Sequence, residues 1–288
     1  QKSQVRSPLR GRARFSSVER WTLNLPFSFT SSFYFYKSPA PAGKLALFHQ
    51  GHRDYVGEAG GDETIAFLLK NGYDVVSFTM PFLGENTGPL KRDLDRVDHR
   101  DMYDYLKSIR PTLKTPTDPL RLFFEPVIAG LNEARSRMKY DRVVMTGISG
   151  GGWTTTWMAA LDHRINISIP VAGSLPFANR RERIPGDFRD MGDFEQHSNE
   201  IYSFVGYSDL YVLGAWPNRS VLQISNRYDK CCYAVDSVPG FVAKVQNTLA
   251  PVGGQYVFRI DETHKKHMIS PWVIEKVIGP FLGASVKP

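Results

Sequence analysis

Met145-Thr146-Gly147-Ile148-Ser149-Gly150-Gly151-Gly152-Trp153 holds a Gly-x-Ser-x-Gly pattern between a β-branched run, Arg142 to Met145, and an apolar helical segment, Trp153 to Leu161. A serine at such a strand-to-helix turn is forced into a tight backbone conformation that projects its Oγ beyond the strand's carboxyl end. The flanking glycines remove side chains that would crowd the turn. Ser149 is therefore the candidate nucleophile. A glycine-rich turn that binds an anion at a helix start would read similarly, so the assignment depends on finding partners for the serine.

A serine hydroxyl is weakly nucleophilic at neutral pH and needs a histidine base that a carboxylate orients. Downstream, Ser220 to Ser225 reads as a strand, and Asn226-Arg227-Tyr228-Asp229 places Asp229 in the loop that follows it. Asp236 is the rival acid, deeper in the connection and next to the following helix. After the strand Gln255 to Ile260 come His264 and His267. His267 directly precedes Met268-Ile269-Ser270 and a closing helix from Pro271 to Leu282, which would hold its ring, whereas His264 lies in a charged loop. The expected triad is Ser149, His267 and Asp229, in the chain order serine, acid, histidine.

Ester or amide hydrolysis also needs backbone donors for the developing oxyanion. Gly150, directly after the nucleophile, supplies one. The loop His49-Gln50-Gly51-His52 supplies the other, with the amide of His52 best placed. No metal is expected from this loop, because His49 and His52 are three apart with no third ligand at an obvious spacing.

Outward from the serine turn the pattern alternates. Trp21 to Leu25 and Ser32 to Lys37 read as half-buried antiparallel strands, and Lys44 to His49 and Tyr73 to Thr79 as strands with a helix from Asp62 to Lys70 between them. Arg92 to Ile109 and Pro119 to Met138 read as helices, and Ile165 to Val171 as a further strand. Val238 to Leu249 supplies another helix before the last strand. This order predicts an α/β protein with a mostly parallel central sheet covered by helices on both faces. Residues 176–215 mix charges, aromatics and glycines without a period and are expected to form an inserted cap. Phe82, Leu83 and Asn86, in the loop after Thr79, are candidates to bind substrate together with Trp153. Phe204, Tyr207, Tyr211 and Trp216 of the cap are candidates to wall the same pocket.

The 288 residues carry 42% apolar and 23% charged side chains, ordinary for a folded domain. No apolar stretch approaches the roughly 18 residues a membrane-spanning helix requires. Of the net charge of +7, five positive charges fall in residues 1–18, at Lys2, Arg6, Arg10, Arg12 and Arg14, with no acid among them. That stretch reads as a flexible basic tail before a domain spanning 19–288. A basic arm can touch phosphates or an anionic surface, but no nucleic-acid-binding motif accompanies it, and no nucleic-acid partner is expected. Cys231 and Cys232 are adjacent and cannot staple a long loop or form a CxxC site. A chain beginning on Gln1 is open to export or a periplasmic location after signal removal; compartment and oligomeric state stay open.

The segments GISGGGWTTTWMAALDHRI around Ser149, NRYDKCC at Asp229 and HMIS at His267 resemble the serine elbow, acid loop and histidine loop of the α/β-hydrolase superfamily, over about residues 40–285. The resemblance is nearest to its dienelactone-hydrolase and acetyl-xylan-esterase-like branches. Many of those relatives carry histidine where Gln50 stands. The resemblance implies a serine esterase for short acyl or acetyl esters, possibly on a carbohydrate, that needs no cofactor. A peptidase or amidase of the same fold and a non-catalytic binding protein are the alternatives.

Overall fold

In the computed structural model of the chain, the described residues are 2–4, 7–11, 13–53, 55–90, 99–109, 118–180 and 192–284. Nine strands form one sheet: β1 (Lys2–Gln4), β2 (Ser17–Asn24), β3 (Thr30–Lys37), β4 (Lys44–His49), β5 (Tyr73–Phe78), β6 (Arg142–Ile148), β7 (Ile167–Val171), β8 (Ser220–Asn226) and β9 (Gln255–Asp261), in the spatial order β1-β2-β3-β5-β4-β6-β7-β8-β9. β1, β2 and β3 pair antiparallel, β3 meets β5 antiparallel, and the remaining neighbours are parallel. β4, β5 and β6 are buried along almost their whole length, as strands covered on both faces must be.

Helices α1 (Gly61–Lys70), α2 (Arg100–Ile109), α3 (Arg121–Arg137), α4 (Gly150–Leu161), α5 (Tyr207–Ala215) and α6 (Phe241–Leu249) connect the strands. A π-helical stretch, Val273–Ile278, runs into α7 (Gly279–Ala284). Two apolar clusters lie on the sheet. One holds Leu45, Leu47, Phe78, Phe123, Trp153 and Tyr211, and the other Phe48, Ile65, Val144, Ile169, Ile274 and Ile278. This matches the predicted architecture of a parallel sheet between two helical layers.

Three expectations change. The stretch expected as a flexible tail contributes the edge strand β1, and Leu9, Ala13 and Phe15 pack against the second cluster. Apolar residues spaced among the arginines are what hold it down. The expected cap, 176–215, divides: short 3₁₀ turns at Phe177–Asn179, Phe194–Gln196 and Glu200–Ser203 form the insert, while α5 packs on α4, α6 and β8 as a layer helix. Residues 181–191 lie outside the described residues. The helix expected from Asp62 begins one residue earlier, at Gly61, and Asp62 accepts a hydrogen bond from Tyr55 Oη at 2.6 Å.

Candidate active site

Ser149 joins β6 to α4 with φ 58° and ψ −125°, a backbone state that costs on the order of 1–3 kcal/mol for a residue bearing a side chain. The surroundings enforce it. Ser149 N–H donates to Val171 O at 3.0 Å, and the β4 loop lies so close that a Cβ on Gly151 would collide with the His49 carbonyl. A Cβ on Gly51 would lie 2.6 Å from the Cβ of Ser149 and 2.7 Å from Ile148 O. Glycine at 51 and 151 is thus what lets the serine turn and the β4 loop approach each other. Gly150 opens α4, where N–H groups have no intrahelical acceptor.

Asp229 and His267 come together from the loops after β8 and β9. His267 Nδ1 lies 2.6 Å from Asp229 Oδ2, and Cys231 N–H donates to Asp229 Oδ1 at 2.7 Å. Asn226, fully buried at the end of β8, donates from Nδ2 to Asp229 Oδ2 at 3.3 Å and to Met268 O at 3.0 Å, which links the acid loop to the histidine loop. Burial alone would raise the Asp229 carboxyl, but the hydrogen bond and charge of His267 and the Cys231 amide hold it below the ordinary aspartate range. His267 Nε2 is buried and has no hydrogen-bond partner among the described residues. Of the rivals, His264 Nε2 pairs with Asp261 Oδ2 at 3.0 Å, and Asp236 is exposed. Cys231 and Cys232 form a vicinal disulfide beside His267.

The other side of the serine turn carries a cluster absent from the sequence reading. The His52 ring packs against Gly150, with Cε1 and Nδ1 at 2.7 and 2.8 Å from where a Cβ would stand. His52 Nδ1 lies 3.0 Å from Asp193 Oδ2 and its Nε2 3.1 Å from Glu195 Oε1. His99, at the start of α2, places Nδ1 2.9 Å from Glu195 Oε2 and Nε2 3.2 Å from Pro81 O. Burial alone would push the His52 imidazole down, but the charges of Asp193 and Glu195 raise it well above its ordinary value. Burial would raise the Glu195 carboxyl, yet His99 and His52 hold it well below the usual carboxylate range. The sequence signal available for this cluster was thin: one histidine in a charged stretch and one acid in a segment without a period. His49 behaves differently. It is fully buried, its Nδ1 faces Gln50 O at 2.7 Å, and burial lowers it to about 4.

Three of the four residues expected to bind substrate are taken up by the fold. Leu83 and Trp153 are buried in the main cluster, and Trp153 Nε1 donates to Tyr202 Oη at 2.8 Å. Asn86 Nδ2 donates to Thr79 O and Met80 O, and its Oδ1 accepts from Ser32 N–H, so its amide locks the loop after β5 to β3. Phe82, half-buried with φ 63°, packs its ring on Phe29. Of the cap aromatics, Tyr207 and Tyr211 are buried, while Phe204 and Trp216 are exposed. A surface cavity of about 610 Å³ is lined by Phe67, Lys70 and Ile274 among others and by none of Ser149, Asp229 and His267.

A mostly parallel sheet covered by helices, with a tight strand-to-helix turn at the carboxyl end of β6, is the α/β-hydrolase fold, and the chain adopts it. Several solved structures are similar to it over most of its length. An esterase from Pyrococcus furiosus superposes with a TM-score of 0.61 at 16% identity, over 94% of this chain and 92% of that one. An acetyl xylan esterase from Paenibacillus sp. R4 gives 0.61 at 16%, over 99% and 88%. An acylaminoacyl peptidase from Pyrococcus horikoshii gives 0.61 at 16%, over 96% of this chain and 43% of the peptidase. No protein-family sequence profile and no curated protein sequence matches the chain. Among the described residues no helix is long and apolar enough to cross a membrane.

Proposed function

We propose that the chain is a serine ester hydrolase. Ser149 Oγ attacks the ester carbonyl carbon while its proton passes to His267 Nε2, and Asp229 fixes the imidazole tautomer and stabilises the imidazolium. The tetrahedral oxyanion accepts from the N–H of Gly150, with the N–H of His52 as the second donor. Collapse expels the alcohol, which takes the proton from His267. A water molecule then attacks the acyl-enzyme by the same route and releases the acid. The observation that carries this reading is the His267–Asp229 pair at 2.6 Å in a fold whose only strained strand-to-helix serine is Ser149 among the described residues. A short acyl or acetyl ester, on a carbohydrate or a simpler alcohol, fits the reading, and the similar solved structures described as esterases support it.

The decisive experiment is hydrolysis of p-nitrophenyl esters from acetate to decanoate by the wild type and by Ser149→Ala, with fluorophosphonate labelling alongside. Turnover and labelling that both vanish in the variant support the reading. Wild-type protein that neither hydrolyses any ester nor labels would overturn it in favour of a binding role. Amide cleavage is the second reading, because the triad does not distinguish leaving groups and one similar structure is an acylaminoacyl peptidase. Faster cleavage of an acyl p-nitroanilide than of the matching ester would favour it.

A further inference from the structure

The His52, His99 and Glu195 cluster poses a proton-accounting problem. His99 Nε2 faces a carbonyl, Pro81 O at 3.2 Å, so it carries the hydrogen and leaves Nδ1 as a lone pair in the neutral ring. That lone pair faces Glu195 Oε2 at 2.9 Å and His52 Nε2 at 3.3 Å. His52 in turn has Asp193 on its Nδ1 side at 3.0 Å, which in the neutral ring places its hydrogen there and its Nε2 lone pair toward the same point. Two imidazole lone pairs and a carboxylate thus converge in a pocket where the side chains of His99 and Glu195 have no exposed surface. Protonating both rings would set two buried positive charges 3.3 Å apart. Glu195 Oε1 lies 3.1 Å from the same His52 Nε2.

One bound cation resolves all of this, and we propose that His52 Nε2, His99 Nδ1 and the Glu195 carboxylate form a zinc site beside the serine turn. His52 Nε2 and His99 Nδ1 are 3.3 Å apart, and the carboxylate turns Oε1 to the first at 3.1 Å and Oε2 to the second at 2.9 Å, separations near the roughly 3.3 Å edge of a tetrahedron with metal–ligand bonds of about 2.0–2.1 Å. Two imidazoles and a carboxylate are a donor set that zinc takes with one position left open. The outer shell fits as well. Ligating histidines hand their other N–H to a carbonyl or a carboxylate, the positions held here by Pro81 O and Asp193. The three ligands come from the β4 loop, the start of α2 and the cap insert, so the ion would clamp the cap onto the sheet edge next to Gly150. This site does not depend on Ser149 being a nucleophile.

The test is zinc binding by the intact, non-reduced chain, measured as metal content after dialysis, by titration calorimetry, and through the visible absorption of the cobalt-substituted protein. One equivalent is expected in the wild type, in Ser149→Ala and in a Cys231→Ser/Cys232→Ser variant. At least a 100-fold weaker affinity is expected in Glu195→Gln and in His99→Gln, each checked for a cooperative melt. Should either fail to fold, Asp193→Asn, at the half-exposed outer position, is expected to weaken zinc roughly 10-fold or more. A wild type without stoichiometric zinc overturns the proposal. So does zinc that survives every one of these ligand substitutions, or zinc lost only in the double cysteine variant, whose residues lie with His267 in a separate cluster.

Discussion

His267 Nδ1 and Asp229 Oδ2 lie 2.6 Å apart across two loops that leave neighbouring parallel strands, β9 and β8. The distance has a chemical consequence. A carboxylate there accepts the Nδ1 hydrogen, leaving Nε2 as the basic nitrogen, whereas an amide in its place can donate and stabilise the wrong tautomer. Asp229→Asn is expected to lower kcat on p-nitrophenyl acetate by roughly 10³–10⁴-fold with KM little changed. Steady-state kinetics would refute this if the variant retained even a tenth of the wild-type kcat.

Gly51→Ala places a methyl group 2.6 Å from the Ser149 Cβ and 2.7 Å from the Ile148 carbonyl, and neither neighbour is the end of a flexible side chain. The serine turn must shift. A displacement of about 1 Å in a reacting group can cost on the order of 100-fold in rate, and a comparable loss in kcat/KM and in the rate of fluorophosphonate labelling is expected. Unchanged labelling would show that the turn tolerates the methyl.

Tyr202 Oη accepts hydrogen bonds from the indole N–H of Trp153 at 2.8 Å and of Trp157 at 3.3 Å. Tyr202→Phe leaves both buried donors without that acceptor, at a cost of about 1–3 kcal/mol. Thermal denaturation should show Tm lowered by several degrees, an effect of packing polarity rather than of catalysis. A Tm equal to that of the wild type would mean that water or another oxygen replaces the hydroxyl.

His49 sets a pH limit on stability. Its folded value of about 4 lies below the ordinary histidine value of about 6.5, so below pH 6.5 the unfolded chain takes up a proton that the folded chain refuses. Stability from this group is complete above pH 6.5 and falls as the pH drops toward 4, by about 3 kcal/mol across that window. Urea denaturation at pH 7 and pH 4.5 should show a steeper loss in the wild type than in His49→Gln. Equal slopes would place the acid sensitivity in other groups.

The candidate site can be read from the sequence because its parts are local to strand ends. Ser149, Asp229 and His267 each follow a strand whose apolar run announces itself, and the order of those strands in the sheet places their loops along one edge. The cluster of His52, His99 and Glu195 was not legible for the opposite reason. Its members are 47 and 96 residues apart, and their meeting depends on how an insert without periodicity folds over the sheet. Asn86 and Trp153 serve backbone and core, and polar and aromatic side chains near a site look alike in sequence whether they do that or face a substrate. The basic stretch at the start looks like a tail by its charge, while Leu9, Ala13 and Phe15, too few to make a period, pack it on the second cluster.

The position of Glu195 also bears on recombination between hydrolases. Its carboxylate comes from the insert yet sits against the ring that touches Gly150, so the insert is not an exchangeable lid over a self-sufficient core. A chimera that took its insert from another parent would lose Glu195 and Asp193 together and leave two histidines facing each other. Insert and core can be shuffled only as one inherited block.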